Sequence, residues 1–469
     1  MLTTINYLEC KDIRYIHFIG IGGISMSGLA EILLDQGYMV SGSDLKESPI
    51  TAKLAAMGVK IFYGHSEDNI SNPDLVVYTA AVRDDNPELV AARKRNIPAV
   101  ERAVLLGQIM KKYPFPVAVS GTHGKTTTTS LISMVMIEAG LNPTVHIGGE
   151  FAAIGGTTRI GGSEFFVAEA CEYHESFLKF YPYLGVVLNI EFDHADYFEN
   201  IGRIREAFSK FVQRIPENGY LVACIDDPNV RLVLGSAKCT IITYGKDSPD
   251  AVWSARDIKL DEGGCASFTL LKDKEPAASI SLRIPGVHNI NNALAAIASC
   301  HTLGCSMDSI KKGIRSFTGA HRRFELKGVV NRIRVVDDYA HHPSEVKATL
   351  EAARNASGSR IWCVFQPHTY TRTKSLLDDF AVSFENADTV ILTDIYAARE
   401  KDKGEIHSLD LAEKMKSAGK NVLYIPDFNS IVKYLSDNAS PGDLIITMGA
   451  GDVYKVGEMF LKKGRVIAV

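Results

Sequence analysis

The chain has 469 residues, 46% of them hydrophobic, and its 51 basic and 55 acidic side chains leave a formal charge of −4. That length allows roughly three domains of about 150 residues, and the apolar content excludes a disordered chain. The mixed charge gives no basic stripe for nucleic acid, and no run reaches the roughly 18 apolar residues of a membrane span.

The first segment alternates strands and helices. The apolar run Tyr15–Ile19 enters the tight turn Gly20-Ile21-Gly22-Gly23, and 25–35 reads as a helix with Leu29, Ile32 and Leu33 on one face. Met39–Asp44 returns as a strand; 51–57 (helix), 59–63 (strand), Leu75–Tyr78 (strand) and 86–95 (helix) follow. This pattern predicts a doubly wound parallel sheet. Gly20-x-Gly22-x-x-Ser25 resembles a dinucleotide fingerprint whose third glycine is replaced, with Asp44 where a ribose-binding acid sits. It fits a pyrophosphate-linked nucleotide or a plain tight turn. Tyr113-Pro114-Phe115-Pro116 reads as a linker, which puts the first domain at 1–112.

Ser120-Gly121-Thr122-His123-Gly124-Lys125-Thr126-Thr127 follows the apolar run Val117-Ala118-Val119 and precedes a helical pattern over 131–139. A strand feeding a glycine loop that opens a helix cradles phosphate with backbone N–H groups. Lys125 is placed for the outer phosphates and the Thr126 hydroxyl for Mg²⁺. Val119 stands where the full nucleotide-loop spacing wants glycine. Phe165–Ala170 is a buried strand carrying Glu169, the expected Mg²⁺ acid; Glu172 and Glu175 read as solvated or secondary. The apolar run 184–190 delivers Asn189, Glu191, Asp193 and His194 as a polar cluster. The sequence then turns strand-rich over 219–285 and returns to a helix at 289–300. There His288, Asn289 and Asn292 can meet a purine edge, or Asn289 can simply cap the helix. A second boundary in Phe317-Thr318-Gly319-Ala320-His321 gives domains at 113–320 and 321–469.

The last segment alternates again, with strands at 334–337, Ile361–Phe365, 389–393, 422–425 and Leu444–Met448. Arg322 and Arg323 sit at the junction, within reach of a phosphate. Asp337-Asp338-Tyr339-Ala340-His341-His342-Pro343 and Gln366-Pro367-His368-Thr369-Tyr370-Thr371-Arg372 lie at carboxyl ends of strands, where open α/β sheets place ligand contacts. Eight scattered cysteines include no Cys-x-x-Cys pair, which argues against a zinc site and for free thiols in a reducing cytoplasm. Met1-Leu2-Thr3-Thr4-Ile5-Asn6 lacks the pattern of a leader.

Together the glycine loops, Gly121-Thr122-His123-Gly124-Lys125-Thr126, Asn189-Ile190-Glu191-Phe192-Asp193-His194, Arg323-Phe324-Glu325 and Tyr339-Ala340-His341-His342-Pro343 resemble the Mur ligase family over essentially the whole chain. The resemblance implies three α/β domains: a Rossmann-like amino-terminal domain for the UDP-sugar, a central ATPase domain, and a Rossmann-like carboxyl-terminal domain for the amino acid. It implies an ATP-dependent ligase of peptidoglycan synthesis, joining L-alanine to the carboxylate of UDP-N-acetylmuramate through an acyl phosphate, with a tripeptide-recycling ligase as the alternative. Gly20, Gly22, Gly23, Ser43, Asp44 and His65 would hold UDP. Gly121 to Thr127 would hold the ATP phosphates. Thr126, Glu169 and His194 would hold Mg²⁺, as two ions, with Mn²⁺ as a substitute. His288, Asn289 and Asn292 would meet adenine; Arg323 and Asp338 would meet phosphate and ribose. Tyr339, His341 and Arg372 would line the amino-acid pocket, and Lys125, Glu169, Asn189, His194, His341 and Arg372 would serve catalysis. Thr369 stands where many alanine-adding relatives carry arginine, leaving Arg372 as the main cation. The expected partners are small molecules, with the chain a monomer or homodimer in the cytoplasm. A nicotinamide oxidoreductase would leave Gly124-Lys125-Thr126 unexplained; a nucleotide-controlled regulator would bind ATP without turnover.

Overall fold

The computed structural model describes residues 6–10, 12–79, 81–357 and 359–465; the leader reading of Met1 to Ile5 lies outside them. Three sheets follow one another along the chain. The first has five parallel strands in the order Lys60–Tyr63, Met39–Asp44, Tyr15–Ile19, Leu75–Tyr78, Ala99–Glu101. The order reverses at Tyr15–Ile19, so the glycine turn after it opens into the crevice that such a reversal creates.

The second sheet has ten strands. Phe115–Ser120 lies in its parallel centre, between Leu184–Val187 and Phe165–Ala170. These three strands send the phosphate loop, the Asn189–His194 cluster and Glu169 to one edge. Antiparallel strands Trp253–Leu260, Cys265–Lys272 and Glu275–Pro285 extend one side. The third sheet has six strands, in the order Glu325–Val330, Ile333–Asp338, Leu444–Met448, Ile361–Phe365, Thr389–Leu392, Val422–Tyr424. Only its first pair is antiparallel.

The cores are built as the sequence period requires. Phe166, Phe177, Phe180, Phe208 and Phe211 are fully buried in one cluster joining the first two sheets, each contributing about 1.5–3 kcal/mol by leaving water. Trp362 is buried in the third sheet with its indole N–H donating to Asp443 Oδ2 at 2.8 Å.

Three local expectations change. Phe115 and Pro116 are not linker but open the strand Phe115–Ser120. Pro116 is tolerated because only its carbonyl is used there, accepting from the Tyr183 N–H at 2.8 Å, at the strand's start. The strand from Leu184 stops at Val187, because residues 188–190 turn to serve the phosphate loop. The nucleotide-loop helix begins at Lys125 rather than 131. Its N-cap Gly124 has φ +82°, and a Cβ there would stand 2.5 Å from Asn292 Oδ1, so glycine is required twice over.

Candidate active site between the second and third sheets

The phosphate loop is shaped by Asn189. Its Oδ1 accepts from the His123 N–H at 2.8 Å and its Nδ2 donates to the His123 carbonyl at 3.1 Å. The Thr122 hydroxyl accepts from the Glu191 N–H at 2.9 Å. Asn189 thus acts on the loop as a positioning residue. Lys125 Nζ donates to the carbonyls of Gly121 and Thr122 and pairs with Glu172 Oε2 at 3.0 Å. Its charge therefore lies inside the curve of the loop, where phosphate oxygens would compete with Glu172.

Glu172 decides between the two sequence expectations, solvated or secondary. It is not solvated: only 2% of it is exposed. Burial alone raises its pKa, but Lys125 and His194 outweigh this and hold it below the usual range. His194 Nε2 is 3.4 Å from Glu172 Oε1, and its ring stacks on Tyr173 with centroids 4.4 Å apart. Glu169 accepts from the Gly148 N–H at 3.1 Å and from Thr126. Burial pushes the Glu169 carboxyl up. A buried carboxylate beside a threonine hydroxyl is a hard-oxygen pair that suits Mg²⁺. The structure brings Thr126 and Glu169 together; it sets the His194 nitrogen against Glu172.

A cavity of about 410 Å³ opens beside the loop. Its walls include His123, His288, Asn289, Asn292, Arg323 and Asp338, from both the second and third sheets. The two asparagines are mutually fixed: Asn292 Nδ2 donates to Asn289 Oδ1 at 2.8 Å, and Asn289 Nδ2 donates to the Pro285 carbonyl at 2.7 Å. Burial pushes the His288 imidazole down to about 4, so it is neutral and can meet a base edge. Burial raises Asp338 to about 6 although it accepts from the Phe324 and Ala340 N–H groups at 2.7 and 2.8 Å. Asp226 and Asn291 also line this cavity and escaped the sequence reading. Asn291 Nδ2 donates to Asp226 Oδ2 at 3.1 Å. The available signal was the acid pair Asp226-Asp227 just beyond the strand Tyr220–Cys224.

The third sheet closes onto the second through ionic contacts. Arg372 donates from Nε and Nη2 to the two oxygens of Asp193 at 2.9 and 3.2 Å. Burial raises the Asp193 pKa, but His194 and Arg372 together hold it far below the usual range. Arg372 is thus already paired rather than a free cation for a ligand carboxylate. His341 Nδ1 meets the Tyr339 carbonyl at 2.9 Å, and burial lowers the His341 pKa to about 4. Arg323 lies 5.2 Å from the Tyr339 ring and 3.8 Å from Glu345. His123 lies 3.2 Å from Glu345 and 3.5 Å from Glu191. Burial lowers its pKa, but those carboxylates reverse the effect and raise it to about 10.

The remaining predicted residues sit on the first sheet. Asp44 accepts from the Gly22 N–H at 2.8 Å, while Gly20 N–H and Ile21 N–H donate to the Ser43 carbonyl at 2.8 and 2.9 Å. The Ser43 hydroxyl and His65 Nδ1 converge on Glu88, at 2.8 and 2.9 Å. Glu88 is fully buried and also meets His17 at 2.9 Å and Asn69 at 3.0 Å. Nothing local in the sequence marks this acid, which holds Ser43 and His65 of the predicted UDP-binding groups in place.

Family profiles cover the chain in three parts: "Mur ligase family, catalytic domain" over 15–114, "Mur ligase middle domain" over 119–300, and "Mur ligase, glutamate ligase domain" over 322–451. The chain is 64% identical over 465 residues to a UDP-N-acetylmuramate–L-alanine ligase from Acetivibrio thermocellus, covering 99% of both chains. It is 53% identical to one from Caldanaerobacter subterraneus, covering 98% of this chain and 99% of that one. The crystal structure of a UDP-N-acetylmuramate-alanine ligase from Thermotoga maritima superposes with TM-score 0.81 at 30% identity, over 96% and 99% of the two chains. A murein peptide ligase from Psychrobacter arcticus gives TM-score 0.70 at 25% identity, over 96% and 98%. Its three sheets, its phosphate loop and its whole-length relatives agree, and the chain belongs to the Mur ligase family.

Proposed function

We propose that the protein is an ATP-dependent ligase that joins L-alanine to the carboxylate of UDP-N-acetylmuramate, releasing ADP and phosphate, in peptidoglycan precursor synthesis. The observation that carries this reading is the 64% identity, over 99% of both chains, to a relative of that name. The site supplies matching chemistry. The first sheet holds UDP by its glycine turn, Ser43, Asp44 and His65, with Glu88 fixing Ser43 and His65. ATP lies along the loop, with adenine in the cavity against His288, Asn289 and Asn292 and the ribose against Asp338.

A muramate carboxylate oxygen attacks the γ-phosphorus; the bond to ADP breaks, leaving an acyl phosphate. Lys125 moves from Glu172 to the phosphates and offsets charge in the in-line transition state. Mg²⁺ on Thr126 and Glu169, with a second ion on Glu169 and His194 and Mn²⁺ as a substitute, would supply further charge neutralisation. The alanine amine then attacks the acyl carbon, a C–N bond forms, and phosphate leaves. Tyr339, His341 and Arg372 line the amino-acid pocket, and Arg372 would reach the ligand carboxylate only by giving up part of its pairing with Asp193. Burial keeps His341 neutral, so it can accept a hydrogen bond from the attacking amine, and the departing phosphate takes the proton. Closure of the third sheet over the loop keeps water from the acyl phosphate.

The test is product analysis by mass spectrometry with ATP, Mg²⁺ and UDP-N-acetylmuramate, offered free L-alanine or tripeptide. Incorporation of alanine supports the reading. Incorporation of tripeptide alone would move the assignment to the recycling ligase.

A further inference from the structure

Beside the Mg²⁺ residues, the fold gathers three other metal-ligating side chains: His123 of the phosphate loop, Glu191 and His342. One ligand atom from each lies within 4.8 Å of the others. His123 Nε2 is 3.5 Å, and His342 Nδ1 is 3.8 Å, from the same oxygen, Glu191 Oε2. Ligands held about 2.0–2.1 Å from a tetrahedral ion stand roughly 3.4 Å apart. Two of the three separations therefore need little change.

The far side of each ring is also arranged for a metal. His123 Nδ1 faces Glu345 Oε1 at 3.2 Å, and His342 Nε2 faces the Phe192 carbonyl at 3.1 Å. Histidine ligands generally donate their second N–H to a carboxylate or a backbone carbonyl, and that bond orients the ring. His123 Nε2 is buried without a hydrogen-bond partner. His342 Nδ1 receives only the 3.3 Å contact of the Ser344 N–H. So His123 Nε2 lacks a partner and His342 Nδ1 accepts only the helix-capping Ser344 N–H, while both nitrogens that face away are committed.

We propose that His123, Glu191 and His342 bind one zinc-class divalent ion, with a fourth position open to water or a phosphate oxygen. Two imidazoles and one carboxylate favour Zn²⁺ over Mg²⁺, which takes oxygen ligands in octahedral geometry. The absence of paired cysteines argues only against a thiolate site and does not reach this donor set. The ion would take the place of the imidazolium proton of His123. It would tie the phosphate loop to the N-cap of the helix Pro343–Asn355 on the third sheet. Turnover needs those two parts to separate and readmit substrate, so occupancy inhibits the enzyme.

The test is a Zn²⁺ titration of full-length, metal-stripped protein against a chromophoric chelator, with Co²⁺ absorption as a probe of geometry. The variants are His342→Asn, Glu191→Gln, Glu345→Gln and Glu169→Gln, each checked for its metal-free melting temperature. One equivalent that Mg²⁺ does not displace should bind, with a tetrahedral Co²⁺ spectrum. Affinity should fall about 100-fold or more in His342→Asn and Glu191→Gln, and about 10–100-fold in Glu345→Gln, the value usual for an outer partner. It should be unchanged in Glu169→Gln. Affinity that survives both His342→Asn and Glu191→Gln, or that falls only in Glu169→Gln, overturns the proposal. If a ligand variant fails to fold, an octahedral Co²⁺ spectrum in the unaltered protein overturns it equally.

Discussion

The Asp193–Arg372 pair is a two-bonded, nearly buried ionic tie between the second and third sheets, and its loss has a calculable cost. Both side chains are nearly buried, 8% and 9% exposed, and two hydrogen bonds join them. Asp193→Asn leaves the guanidinium buried without its counter-charge. Removing one partner of such a pair costs about 3–5 kcal/mol, roughly a thousandfold in an equilibrium constant. Replacing both partners by neutral groups of similar shape recovers much of that, because the desolvation of both charges is also removed. The assay is a double-mutant cycle of Asp193→Asn, Arg372→Met and the pair, by urea unfolding followed through tryptophan fluorescence. Trp362 reports the third sheet and Trp253 the second. A coupling of about 2 kcal/mol or more is expected; a value under about 0.5 kcal/mol, with the two single costs simply adding, would refute the reasoning.

Lys125→Ala removes the cation inside the phosphate loop, and kcat should fall at least about 10²–10³-fold; phosphate-release kinetics would show it, and near-normal kcat would contradict the assignment. Gly107→Ala should destabilise the protein by at least about 1–3 kcal/mol, measured as a lowered melting temperature, because the new Cβ would stand 1.9 Å from the Lys179 carbonyl oxygen. His123 has a pKa raised from 6.5 to about 10 by its carboxylate neighbours. Because the folded state holds the extra proton, its stabilisation is complete below about 6.5 and is lost as pH rises towards 10. In the presence of chelator, the difference in unfolding midpoint between the unaltered protein and His123→Gln should therefore shrink between neutral and alkaline pH. A constant or widening difference would show that the carboxylates do not control this imidazole.

Local patterns made much of the molecule readable. The strand–loop–helix around Lys125, the parallel strands of the first sheet and the histidine-rich strand ends of the third depend on neighbours within a few residues, so periodicity and glycine placement reveal them. Glu172 was not readable in this way. It follows a strand and looks solvated until Lys125, 47 residues earlier, arrives to share its burial. Arg372 is likewise a free cation in the sequence and is paired only because Asp193, 179 residues away, lies on the facing sheet. The Glu88 hub has the same origin: its four partners come from the first strand, the second strand, a loop and the short helix Glu67–Asn69, and no spacing connects them. Local order is thus legible, whereas the burial of a charge is decided by partners the chain brings from far away.

The most direct test of the account follows one oxygen atom. UDP-N-acetylmuramate carrying ¹⁸O in its carboxylate is turned over with ATP, Mg²⁺ and L-alanine, and the released phosphate is analysed by mass spectrometry. If the carboxylate attacks the γ-phosphorus and alanine then displaces phosphate from carbon, each phosphate carries one oxygen from the carboxylate. Phosphate without that label, formed alongside the amide, would contradict the acyl-phosphate route and the roles given to Lys125 and Glu169.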